Sequence, residues 1–128
     1  MATIIDFGGA RPMGTSGLYS TTFALKMFPW VAPELLWNTH PCSVASDVYS
    51  IAEFIIQLLG WQPKFERYPS LQALRKWLWK ARDPYPSLRP TLDALIQILK
   101  TLQVEVAASV YLHVSASVGR QVMLIIKL

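Results

Sequence analysis

The chain has 128 residues, 52% hydrophobic and 16% charged, which excludes a disordered polar tail and leaves enough apolar material for one domain or a piece of one. Lys and Arg outnumber Asp and Glu by 12 to 8, and the basic residues thicken between Lys64 and Arg89 without a block of like charge. Trp61, Tyr68, Trp77 and Trp79 interleave with them, but these read as helix-core aromatics, so nucleic-acid binding is not expected.

Cys42 is the single cysteine, which rules out an internal disulfide and a cysteine-based zinc site and suits a reducing, cytoplasmic setting. His40 and His113 lack metal-ligand companions and read as surface or packing residues. The N-terminus has no basic flank followed by a long apolar core, so no signal peptide is expected.

In chain order, Ala2-Thr3-Ile4-Ile5 is short and β-branched and predicts a strand leading into Asp6-Phe7-Gly8. Taken alone, Asp6 before glycines is also an ordinary turn former. Residues 9 to 31 hold Gly9, Pro12, Gly14 and Gly17 with Ser16, Tyr19, Ser20, Thr21 and Thr22, which predicts an exposed loop. No Gly-x-Gly-x-x-Gly occurs there, so a phosphate cradle is not supported.

From Ser46, apolar residues surround the axis: Val48, Tyr49, Ile51, Ala52, Phe54, Ile55, Ile56, Leu58 and Leu59 predict a buried helix, capped by Ser46 or Ser43 and stopped by Gly60. A second helix is predicted from Ser70 to about Lys80. Leu71, Leu74, Leu78 and Trp77 form its inner face, with Arg75, Lys76 and Lys80 outside. Asp83-Pro84-Tyr85-Pro86 ends it by removing amide donors and disfavouring helical geometry before each proline. A third runs from about Thr91 to Gln103, with Pro90 at its mouth and Leu92, Leu95, Ile96, Leu99 and Leu102 at helical spacing.

The tail changes period. Val104, Val106, Ala108, Val110, Leu112, Val114, Ala116 and Val118 alternate with smaller or polar residues, which predicts a strand. A membrane span is the alternative, disfavoured by the serines and by Arg120 inside any window long enough to cross.

Asp6-Phe7-Gly8, then Ala32-Pro33-Glu34, then Ser46-Asp47-Val48-Tyr49-Ser50 and Arg89-Pro90-Thr91 occur in one order at consistent spacings. Together they resemble the C-terminal lobe of a protein kinase catalytic domain from its Asp-Phe-Gly motif onward. Phe28-Pro29-Trp30-Val31 is similar to the peptide-docking loop of tyrosine-kinase-like serine/threonine enzymes. The resemblance implies a mainly α fragment with a short N-terminal strand and a possible C-terminal strand. It implies a partial kinase domain over 1–103, with an activation segment over 6–34 and a helical core over 46–103, followed by an atypical apolar tail over 104–128.

The same resemblance implies site roles. Asp6 would hold the Mg²⁺ that bridges the ATP phosphates, Phe7 would pack into the hydrophobic spine and Gly8 would free the backbone to turn. Glu34 would pair with Arg89, and Asp47 would accept hydrogen bonds from the catalytic-loop backbone. A helix N-terminal carboxylate is an equally complete physical reading of Asp47. Ser16, Tyr19, Ser20, Thr21 and Thr22 are candidate phosphorylation sites.

The sequence departs from the kinase pattern in what it does not contain. It has no Gly-rich nucleotide loop, no strand lysine with a helix glutamate and no His-Arg-Asp loop, so Asp6 alone is not expected to run phosphoryl transfer, and this chain by itself is not expected to bind Mg²⁺ and ATP. Between Phe65 and Arg89 there is room for one helix where two are usual, the interval from Asp83 to Arg89 is longer than usual, and Ala52 replaces a usual glycine. Two readings follow: a kinase domain truncated at its N-terminus, or a pseudokinase-like interaction fragment. The partners expected are protein substrates, another protein or a second copy meeting exposed apolar surface.

Overall fold

The computed structural model describes residues 10–17, 28–60 and 68–126. Within them the architecture is mainly α, the class expected of a kinase C-lobe. The helices are α1 (Pro33–Leu36), α2 (Val44–Leu59), α3 (Pro69–Ala81) and α4 (Leu92–Ile126), with a 3₁₀ turn at Pro86–Leu88. The strand expected over Ala2–Ile5 lies outside the described residues. The described residues fall into two compact units, one of residues up to 60 with 77–91, the other of 68–76 with 92–126.

In the first unit, Pro33 opens α1 with the ring geometry that suits a helix start. The helix ends where Asn38 takes φ 52°, a left-handed conformation that a short polar side chain tolerates. The Thr39 amide then donates back to the Glu34 carbonyl at 3.0 Å, the six-to-one bond of a Schellman stop. Ser43 is the N-cap of α2, and its amide donates to the Ser46 hydroxyl at 3.2 Å. Gly60, at φ 52°, stops α2 as expected.

Only one side of α2 is covered: Ser46, Val48, Ala52 and Glu53 are buried, whereas Phe54 and Leu58 are exposed. The expectation of burial all round fails because no described residue packs on that outer side. Of the inner face expected for α3, Leu74, Trp77 and Leu78 are buried and Leu71 is half-buried, with Ala81 buried beside them, while Arg75, Lys76 and Lys80 are exposed. Trp79 differs, standing exposed rather than in the core, because it falls on the outer face of α3 beside Lys80. After Ala81 the Asp83 carboxylate accepts the Tyr85 amide at 2.9 Å, fixing the turn before the 3₁₀ segment.

In the second unit, α4 runs 35 residues, far past Gln103, and its helix covers the whole stretch expected to be a strand. Two facts explain the correction. No Pro or Gly interrupts Leu92 to Val118, so helix propagation adds one internal hydrogen bond per residue. A strand would need a partner for its amides and carbonyls, and no strand exists among the described residues.

Residues Leu92–Leu112 of α4 are long and apolar enough by composition to cross a bilayer. They also contain Asp93, Lys100 and Glu105. Glu105 is committed within the unit, where it accepts the Ser70 hydroxyl at 2.9 Å and the Ser70 amide at 3.3 Å. Those bonds satisfy a donor at the start of α3 that has no partner within its own helix.

Candidate functional site

Two of the residues the sequence singles out, Glu34 and Arg89, meet in the first unit in a buried ion pair. The Arg89 guanidinium donates from Nη1 to Glu34 Oε1 and from Nη2 to Glu34 Oε2, both at 2.7 Å, across 55 positions of sequence. Neither side chain is exposed by more than 1%. This is the bidentate fork of a planar guanidinium on a carboxylate, the geometry that lysine cannot reproduce.

Every further bond around the pair serves to make a buried charge tolerable. Ser46 donates its hydroxyl to Glu34 Oε1 at 2.9 Å. Arg89 Nη1 also donates to the Ala45 carbonyl at 2.8 Å, and Nε donates to the Asp83 carbonyl at 2.9 Å. The guanidinium lies 5.1 Å from the centroid of the Tyr49 ring. Burial pushes the Glu34 carboxyl up, but the Arg89 hydrogen bonds, its own backbone amide, Ser46 and the Arg89 charge outweigh that, leaving it below the usual carboxylate range. Burial, with the Glu53 charge, pushes the Tyr49 hydroxyl up.

The pair therefore ties α1 to the first turn of α2 and to the turn after α3. Asp83, whose spacing to Arg89 is longer than the kinase pattern, still meets Arg89, through its carbonyl rather than its carboxylate. Glu53, buried on α2, pairs with Arg82 Nε one turn further along. That second pair had no motif to announce it. Its signal in the sequence is a lone acid among apolar residues, Ala52-Glu53-Phe54, which a helix tolerates inside only with a cation opposite.

Asp47 sits on the exposed side of the first turn of α2 and lines a recess of about 270 Å³ with Arg11, Met13, Trp30, Leu35 and Cys42. Burial of its surroundings pushes its carboxyl up. Trp30 is held edge-on by Phe28, ring centroids 5.6 Å apart, and its carbonyl accepts the Ser50 hydroxyl at 2.7 Å. On the loop side, Gly14 donates to the Cys42 carbonyl and Cys42 donates to the Thr15 carbonyl, each at 2.9 Å. Gly17 donates to Asn38 Oδ1 at 3.1 Å, a second job for the residue that ends α1 and one the sequence reading missed.

Ser16 is exposed on this loop. Asp6, Phe7, Gly8, Tyr19, Ser20, Thr21 and Thr22 lie outside the described residues. Among the described residues no group of three or more His, Cys, Asp or Glu comes together as a metal-binding cluster.

Comparison with known proteins adds one partial relationship. Over 72 residues the chain is 33% identical to mitogen-activated protein kinase 5 of Oryza sativa subsp. indica, and equally to that of Oryza sativa subsp. japonica. The match takes in 56% of this chain and 19% of each rice protein, so the chain spans only about a fifth of those relatives. No family model matches, and no solved structure matches. The partial match supports a protein kinase relationship for the chain.

Proposed function

We propose that residues 1–103 are the C-terminal part of a protein kinase catalytic domain whose complete enzyme transfers the terminal phosphoryl group of ATP to protein serine, threonine or tyrosine hydroxyls. The observation that carries this reading is the buried Glu34–Arg89 fork, which joins the Glu of Ala-Pro-Glu to the Arg of Arg-Pro-Thr as the resemblance requires. The role of this part is to anchor. Glu34 ties α1 to Ser46 and Arg89, and in this reading the activation segment that runs from Asp6 to Glu34 is anchored at that end. Mg²⁺ bound at Asp6 would neutralise charge on the phosphates. A phosphate added at Ser16 would place a dianion on the same tethered loop as Arg11. The setting proposed is the cytoplasm.

A second reading, an interaction fragment without catalysis, is favoured by one specific observation: Val104, Val110 and Leu112 of α4 are each more than half exposed. The two readings separate in a chimera in which residues 6–103 replace the matching stretch of a rice relative. The kinase reading expects Mg²⁺-dependent phosphotransfer that Asp6→Asn abolishes. A folded chimera that holds no Mg–ATP overturns it. The 128-residue chain alone is expected to show no phosphotransfer, and turnover lost on Asp6→Asn in that chain would reverse this expectation.

A further inference from the structure

Residues 12–17 are held on the first unit by polar bonds rather than by burial. Met13 is 75% exposed, Pro12, Gly14, Ser16 and Gly17 are exposed, and Thr15 is half-buried. The segment is nevertheless ordered from within. The Thr15 amide donates to the Pro12 carbonyl at 3.3 Å and the Thr15 hydroxyl donates to the same oxygen at 2.7 Å, closing a four-residue turn. Gly14, third in that turn, takes φ 87°, the left-handed value a type II turn demands there.

The finished turn docks on the stretch after α1 at two points. At the first, the Gly14 amide donates to the Cys42 carbonyl and the Cys42 amide donates to the Thr15 carbonyl, both at 2.9 Å, while Cys42 Sγ donates to the Pro12 carbonyl at 3.0 Å. At the second, the Gly17 amide donates to Asn38 Oδ1 at 3.1 Å. The Asn38 side chain leaves the backbone from the left-handed turn that ends α1, so the helix stop itself positions the acceptor for Gly17. No side chain of 12–17 is buried at either point.

A segment held in this way opens well before its unit unfolds. Each hydrogen bond is worth little net because water replaces it, and low burial with exposed backbone bonds marks the parts of a protein that open locally. The bonds also support one another: the turn sets Gly14 and Thr15 against Cys42, and from there Gly17, two residues on, reaches Asn38. Met13 lines a recess of about 270 Å³ together with Trp30, Val31, Leu35 and Cys42, so opening takes away part of its wall. We propose that residues 12–17 form a strap that opens and closes as one piece, pinned by Cys42 and Asn38, and that the recess beside Trp30 is complete only while the strap is closed. A partner that uses Met13 as a wall holds the strap shut, and one that takes its place on Asn38 and Cys42 holds it open.

Hydrogen exchange of the Gly14, Gly17 and Cys42 amides, read by NMR in the ¹⁵N-labelled chain and two variants, tests the strap. In the parent the three are expected to share one protection factor, above that of a free peptide and below those of Val48 and Ala52 in α2. Asn38→Gly keeps the left-handed stop of α1 and removes the acceptor for Gly17. It is expected to speed Gly14 and Cys42, which belong to the other contact, by about tenfold, while Thr39, bonded to the Glu34 carbonyl, stays protected. Gly14→Ala strains the turn at φ 87° with no atom within 4 Å for its methyl to push, and is expected to speed Gly17 and Cys42 to a similar degree. The Trp30 indole signal is expected to move in the same direction in both variants. Separate protection factors for the three parent amides, exchange at free-peptide rates, or protection equal to that of Val48 would each overturn the proposal. So would acceleration confined to Gly17 in Asn38→Gly, or an unmoved Trp30 indole. Because the shared protection factor is read in the parent chain, it decides the matter even if a variant misfolds.

Discussion

Arg89 and the outer half of α4 are opposite solutions to placing a side chain on a helical protein. The Arg89 side chain is wholly buried, and its donors go to Glu34, Ala45 and Asp83 while its face meets Tyr49. Along α4, Val104, Val110 and Leu112 stand 58–69% exposed with apolar surface open to solvent. A buried cation constrains everything around it, since each donor left unpaired carries a large penalty. An exposed valine constrains almost nothing. The difference locates where sequence can specify structure: strongly at the fork, weakly along the tail.

The sharpest way to break that contrast is to unpair the fork. Arg89→Met leaves Glu34 buried without its cation and is expected to cost about 3–5 kcal/mol, enough to abolish cooperative unfolding of the first unit. Glu34→Leu with Arg89→Met together removes both charges and should recover most of that loss, to within about 1–2 kcal/mol of the parent. Urea unfolding followed by Trp77, whose indole donates to the Thr91 carbonyl at 3.0 Å, reads both variants. A double variant no better than the single would mean that packing around the pair, and not the charges, holds this unit.

Acid probes the same pair more gently. The Glu34 carboxyl is held below its ordinary value in the folded chain, so its contribution is complete above the unfolded carboxylate range and is lost as pH falls through the lower folded value. Asp47 has the opposite sign: its raised value makes the folded chain more tolerant of acid at that position. Between pH 6 and strong acid, the parent is therefore expected to lose stability, and Glu34→Gln should flatten that fall. A fall of unchanged steepness in Glu34→Gln would assign the acid transition to other carboxylates.

The same contrast explains what was legible in the sequence. Glu34 and Arg89 were readable 55 positions apart because their neighbours, Ala-Pro before one and Pro-Thr after the other, form motifs. The limits of α2 were readable because Ser43 and Gly60 have local reasons to cap and to stop it. The tail misled because its period of two is real but describes only which side chains are apolar. Whether such a run becomes a strand depends on a neighbouring strand, which no local pattern records. Without one, Ala107, Ala108 and the unbroken stretch before Gly119 let α4 continue. Trp79 misled for a related reason: an aromatic count cannot say which face of α3 each ring takes. The Glu53–Arg82 pair and the double use of Asn38 were hidden because each needs the partner's position in space.

A smaller effect sharpens the comparison from the other unit. Ser70 opens α3 and gives both its hydroxyl and its amide to Glu105, 35 positions on, so one carboxylate of the long helix substitutes for a local cap. Ser70 is buried, whereas Glu105 is half-buried, and water can replace part of what the carboxylate supplies. Glu105→Gln keeps an acceptor of the same shape and removes the charge, so it should cost less than about 1 kcal/mol. Ser70→Ala deletes the hydroxyl and leaves the amide bond to Glu105, with an expected loss of about 1 kcal/mol. Hydrogen exchange of the first α3 amides reads both changes locally. Faster exchange confined to the first turn of α3 is the expected result. Exchange unchanged in both variants would mean that the start of α3 is held by the packing of Leu71 and Leu74, and that the Ser70–Glu105 tie is dispensable.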